Sequence, residues 1–404
     1  MASSHMNKRL LSIGAILMLL LATLLLSGCG KKATPEPTPT KTPMPPTWTP
    51  TPTQLPPTAT PTPLPTATPT PEPTATPTPT PQSFIDPKED SSISFLTGLK
   101  PDDPAVLQRR PLAIKVANQK SAVPQTGLSK ADIVVESRVE FSQTRYTAIY
   151  QSQSAERVGS VRSARLIDAE LPDIFDAVLC FSGAVEPVRQ KLYGIPDLEG
   201  QILEAVLHPF GFFRDPNIPV PHNLFANTDR IWQYLTKKGM NTPPNPPGGW
   251  VFGETAPEDA ASASAIDIPY PVLKVRWAYD AASGQWLRWL GGQPHIDKGT
   301  GAQLTADNVV VIYAKHVTTL IVEHGKERIY SNGVCTNCSV EIQIWGEGPL
   351  KVFRDGKVYE GKWIRTGRGQ PFQIVFSDGT PIPLKPGNSW WQVVPLEMNV
   401  AVTP

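Results

Sequence analysis

The chain has 404 residues, 46 of them proline, and its 37 lysines and arginines almost balance 36 aspartates and glutamates, for a net charge of +1. Beyond residue 82 the acidic residues slightly outnumber the basic ones, which leaves no basic face for nucleic acid. The length suffices for two domains of ordinary size.

Residues 1–5, MASSH, read as a cloning remnant, so the natural chain starts at Met6. Lys8 and Arg9 form a positive start, and Leu10 to Leu26 an apolar run that ends in Leu26-Ser27-Gly28-Cys29. That ending resembles the bacterial lipobox, which implies a signal peptide over 1–28 and lipidation of Cys29. Two or three acyl chains at ~0.8 kcal/mol per buried CH₂ give stable anchoring. The tract that follows, in the 29–82 stretch, is almost wholly Pro, Thr and Ala. With an N–H missing at nearly every second residue it favours polyproline II, and about 50 residues at ~3.1 Å each make a semi-rigid stalk on the order of 150 Å long.

The folded part begins with strand signals in PLAIKVAN (111–118), ADIVVES (131–137), RYTAIYQ (145–151) and DAVLCFSG (176–183). ARLIDAELPDIF (164–175) and VEPVRQKLYG (185–194) have helical spacing, and NTDRIWQYLTKKGM (227–240) carries a cap at Asn227 or Thr228 and a stop at Gly239. These elements predict an α/β sheet domain over 90–240. A Pro/Gly-rich linker over 241–264 follows. From 265 to 404 the pattern is β-rich, with hairpin turns at Ala282-Ser283-Gly284, Asp355-Gly356 and Asp378-Gly379, which predicts a small antiparallel barrel or sandwich. The expected fold class is therefore α+β.

Cys335 and Cys338 flank a turn and read as a short-range disulfide; as half of a zinc site they lack a second ligand pair, and a redox pair is the other alternative. Cys180, inside an apolar run, reads as a buried free thiol.

The stretches RRPLAIKVANQKSAVPQTGLSKADIVVES, TRYTAIYQSQSAERVGSVRSAR, GQPHIDKGTGAQLTADNVVV, VFRDGKVYEGKW and LKPGNSWWQVVP resemble, in that order, the YerB-like lipoproteins, the family of the domain of unknown function 3048. The resemblance covers about 100 to 400. It implies a two-part bacterial surface lipoprotein and no particular activity.

No P-loop, post-strand G-x-G-x-x-G, H-E-x-x-H or EF-hand loop is present. Arg145, Arg162 and Arg165, with Ser163 and other small residues beside them, are the most concentrated polar chemistry, and guanidinium forks with free backbone N–H groups suit phosphate or carboxylate. The competing expectation is an internal ion-pair network with Asp132, Glu136, Glu140 or Asp168. His295 and Asp297 form a candidate polar pair. His316 and His324 share strand parity, with Glu323 on the opposite face, a poor metal set. In its placing of Asp132 and the arginines the chain resembles the LytR-CpsA-Psr phosphotransferases, which implies Asp132 as base or Mg2+ ligand; that family's Pro-Arg-Asp stretch is Val161-Arg162-Ser163 here. Serine hydrolysis by Ser160 or Ser163 with His208 or His222 lacks a G-x-S-x-G elbow. The expected function is a lipid-anchored envelope binding or scaffolding factor with an anion-binding cleft and no cofactor. Its partners are the membrane through the anchor and a cell-wall polymer or another envelope protein. Trp286, Trp289, Trp390 and Trp391 are candidates to stack on wall sugars.

Overall fold

The computed structural model describes residues 84–258 and 260–404, so the leader, Cys29 and the expected stalk lie outside the described residues. The apolar runs of the first half become β1 (Leu112–Ala117), β2 (Ile133–Arg138), β3 (Thr144–Tyr150) and β4 (Val178–Phe181), followed by a short β5 (Ile202–Glu204). The helical spacing over 164–175 yields only a 3-10 turn, Leu166–Ala169, and a five-residue α1 (Leu171–Phe175). Pro172 has no N–H with which to continue a helix from the preceding turn, and Asp176 adopts a left-handed conformation that ends it. Helix α2 (Glu186–Tyr193) stops at Gly194, and α3 (Thr228–Lys237) starts at Asn227, whose side chain accepts from the Arg230 N–H.

The second half supplies β6 (Ala265–Ile268), β7 (Val275–Asp280), β8 (Gln285–Leu290), β9 (Asn308–Val322), β10 (Cys338–Gln343), β11 (Gly346–Arg354), β12 (Lys357–Arg365), β13 (Gln373–Val375), β14 (Ser389–Pro395) and β15 (Ala401–Thr403). At the β11–β12 hairpin both Asp355 (φ 50°) and Gly356 (φ 68°) are left-handed, as a two-residue Asp-Gly turn requires.

These strands do not form one closed barrel. Most of them join β1 to β5 in a twelve-stranded sheet of order β13-β12-β11-β9-β14-β2-β3-β1-β4-β5, with β10 paired to β9 and the two-residue strand Ala261–Ser262 paired to β12. The seam is parallel: β14 lies between β9 and β2, with Trp391 opposite both Val310 and Val135. β6, β7, β8 and β15 belong to a second, antiparallel sheet of six strands whose ends do not meet. The strand SWWQVVP is buried along its whole length because both faces of the large sheet carry a core. On one face Ile133, Val135, Trp391 and Val393 pack under Ile167, Ile174, Phe175 and Val188. On the other, Val134, Trp390 and Val309 meet Ile266, Trp277 and Trp286 of the small sheet and Ile231 and Leu235 of α3.

The 241–264 segment, expected as a linker, is packed rather than free. Trp250 is 1% exposed and Phe252 0%, and the Trp250 indole N–H donates to the Phe95 carbonyl at 2.8 Å. Strands from both sides of this segment therefore share one sheet and its two cores.

Candidate functional site

β3 and the segment crossing from residue 158 into the 166–169 turn bring Arg145, Arg162 and Arg165 together beside the large sheet, but not as an open trio. Glu140 takes up two of them. Its carboxylate accepts from Arg165 Nε at 2.7 Å and NH2 at 2.5 Å, lies 3.2 Å from Arg145 NH2, and meets His324 Nε2 at 3.1 Å. Arg165 also pairs with Glu323 at 3.3 Å, and a buried Lys115–Asp168 pair at 2.9 Å completes the cluster. Burial pushes the Glu140 carboxyl up, but the hydrogen bonds from Arg165 and His324 and the charges of Arg145 and Arg165 outweigh it and hold it well below the usual carboxylate range. Burial, then the charge of Arg165, pushes Arg145 down to about 9, still charged at neutral pH.

The expectation of three guanidinium groups around one anion is thus corrected: Arg145 and Arg165 are neutralised from within. Ser163 offers the cluster its carbonyl, which accepts from Arg145 NH1 at 2.8 Å and cannot hold an anion. Arg162 differs from its neighbours. It is 9% exposed, donates to the Pro221 carbonyl at 3.3 Å, and has no carboxylate within ion-pair distance among the described residues. Glu140's oxygens are already committed, so none remains for it.

Asp132 does not belong to this cluster. It lies at the far end of the β2–β3 ladder, in which Arg145 is opposite Ser137, five residues or about 17 Å along the strand. Its carboxylate accepts from the Gln151 and Ser152 N–H groups and the Ser152 hydroxyl, closing a turn. Burial raises Asp132 against those bonds. The phosphotransferase arrangement, with Asp132 beside the arginines, is therefore not supported.

His295 and Asp297 do not pair with each other either. Arg288 Nε can only donate, so His295 Nδ1 accepts from it at 3.0 Å, and the ring proton sits on Nε2, which donates to Gln125 Oε1 at 2.7 Å. Burial and the charge of Arg288 keep His295 neutral. Asp297 accepts from the Gly127 and Ser129 N–H groups and from the Ser129 hydroxyl, tying the first half of the chain to the second. Trp286, Trp390 and Trp391 are buried core residues, which removes them as sugar platforms; Trp289 is half-buried.

Cys335 and Cys338 are disulfide-bonded and Cys180 is buried, its thiol pushed up by burial. The bridge steadies Asn337, whose side chain accepts from Ile329 N and donates to the carbonyls of His324 and Glu327, and whose own carbonyl accepts from Glu323 N. The loop thus positions Glu323 against Arg165. Replacing both cysteines with serine is expected to lower stability by about 2 kcal/mol and to speed amide exchange over 323–338. Unchanged urea unfolding and exchange would contradict that role.

The sequence does not single out Lys115, nor Glu323 as a partner of Arg165. A visible signal existed for the first, since a lysine in the middle of PLAIKVAN must find a carboxylate if the strand is buried on both faces. Ser121 and His222, which meet at 2.9 Å beside Arg162, were also missed as a pair.

The model of the protein of unknown function (DUF3048) N-terminal domain matches residues 96–241, and that of its C-terminal domain matches 266–391. A Bacillus subtilis (strain 168) protein named "Putative lipoprotein YerB" is 31% identical over 309 residues, 74% of this chain and 85% of that protein. The crystal structure of the YerB protein from Bacillus subtilis aligns with a TM-score of 0.61 at 27% identity, covering 76% of this chain and 99% of that one. Both domain models, in order and spanning most of the folded chain, place this protein in the DUF3048 family.

Proposed function

We propose that this protein is a lipid-anchored, extracytoplasmic binding factor of the cell envelope whose head engages an anionic group at Arg162. The lipobox-like Leu26-Ser27-Gly28-Cys29 and the similarity to a protein named as a lipoprotein support the anchor. No helix among the described residues is long and apolar enough to cross a membrane. The observation that carries the binding reading is Arg162, a nearly buried guanidinium without a carboxylate in a cluster where every other cation has one. A buried charge of this kind calls for a counter-charge, and a ligand can supply it. The ligand is an anionic group of a cell-wall polymer; another envelope protein carrying such a group is the alternative partner.

The test is calorimetric titration of the full chain with inorganic phosphate. Saturable binding is expected, weakened about tenfold or more in Arg162→Gln. Equal binding by the variant would overturn the reading.

A further inference from the structure

Two further polar atoms near Arg162 are buried without partners. Ser160 Oγ is one, on a residue 4% exposed, and His222 Nδ1 is the other. An unpaired buried polar group is costly, so two of them beside a guanidinium that has no carboxylate require a reason. Ser160 stands two residues before Arg162 on an extended stretch whose middle residue, Val161, bridges to Val116; alternation puts Ser160 and Arg162 on one side and Val161 in the core. His222 follows Pro221, the residue whose carbonyl accepts from Arg162. Its Nε2 lies 2.9 Å from Ser121 Oγ.

We propose that this patch takes a tetrahedral oxyanion, the phosphoryl group of a phosphate ester, rather than a carboxylate. The inference rests on Arg162 being an anion site and adds the ligand's class. A carboxylate presents two coplanar oxygens, which one guanidinium fork satisfies. Here the donors come from two separate segments: the Arg162 fork and Ser160 O–H from one, His222 Nδ1–H from the other. Donors on two separate segments suit an acceptor with three free oxygens in different planes. Ser121 Oγ can donate to Nε2 or accept from it, and in the tautomer in which it donates the imidazole proton sits on Nδ1, the atom that lacks a partner. Burial and the Arg162 charge lower the His222 pKa; Arg162 and Ser121 are the groups that face it, and no carboxylate lies within ion-pair distance among the described residues. A bound dianion offsets the Arg162 field and raises that pKa, so binding takes up a proton and tightens as pH falls.

The full chain is titrated with sulfate, which stays a tetrahedral dianion across the range, with inorganic phosphate, and with acetate. Sulfate and phosphate are expected to bind about tenfold tighter than acetate. Sulfate affinity should rise several-fold from about pH 8 to about pH 6 in the wild type and stay flat in His222→Asn. Ser160→Ala should weaken sulfate binding while leaving the unliganded melting temperature unchanged or higher, because it deletes an unpaired buried hydroxyl; a merely structural serine would show the reverse. Acetate binding as tightly as sulfate, or a His222→Asn variant with the wild-type pH profile, overturns the phosphoryl assignment and leaves the anion site standing. Sulfate binding that Arg162→Gln does not weaken, or no binding of any anion, overturns both.

Discussion

Arg288→Met is expected to cost about 3–5 kcal/mol of unfolding free energy, and the double variant Glu136→Gln/Arg288→Met to recover half of that or more. Arg288, on β8, is fully buried and reaches across to β2, where NH2 meets Glu136 Oε2 at 2.7 Å. The Gln392 amide, with its oxygen turned to Arg288, accepts from NH1 at 3.1 Å and donates to Glu136 Oε2 at 3.0 Å. The guanidinium also lies 4.2 Å from the Trp390 ring centre and 5.0 Å from that of Trp277. Removing the arginine alone strands a carboxylate between two sheets, with the uncharged donors of Asn118, Thr144 and Gln392 left to it. Removing both charges takes away the attraction and the desolvation cost together, and methionine fills the aromatic cage. Urea unfolding of the two variants decides the matter. A single variant within about 1 kcal/mol of wild type would show that the pair does not hold the sheets together.

Where turn chemistry and periodicity are local, the sequence is readable. Strands β1 to β4, the Asn227 cap, and the Asp355-Gly356 hairpin each depend on residues within a few positions of one another. The pairing of β2 with β14 depends on residues about 250 positions apart, and no local signal specifies it. SWWQVVP is a continuous apolar run, the pattern of a strand buried on both faces, yet adjacent tryptophans also suit a sugar platform; only the sheet's neighbours decide between them. The arginine cluster was legible as a place and not as a balance of charge. Spacing brings Arg162 and Arg165 near the end of a strand, but Glu140 follows β2 and Glu323 ends the long β9 arm, so the count of carboxylates that arrive there is a tertiary fact.

That count makes Glu140 the residue on which the cluster depends. Glu140→Gln is expected to cost about 3–5 kcal/mol, because it leaves Arg145 and Arg165, both almost fully buried, with Glu323 as the one remaining carboxylate in ion-pair contact among the described residues. The glutamine oxygen can still accept one hydrogen bond but carries no charge, so it separates loss of the ion pairs from loss of volume. The pH dependence follows from the direction of the shift. A carboxyl held far below its unfolded value of about 4.3 contributes stability that is fully present above that pH and drains away as pH falls toward the folded value. Wild-type stability should therefore drop steeply on acidification below about pH 4, and Glu140→Gln, already weakened at neutral pH, should show a shallower slope there. Parallel slopes in urea titrations at several pH values would place the acid-sensitive carboxylate elsewhere. If the slope does flatten, the same variant leaves Arg145 without a carboxylate and Arg165 with Glu323 alone, and with the proposed anion site at Arg162 next to them phosphate affinity should rise rather than fall.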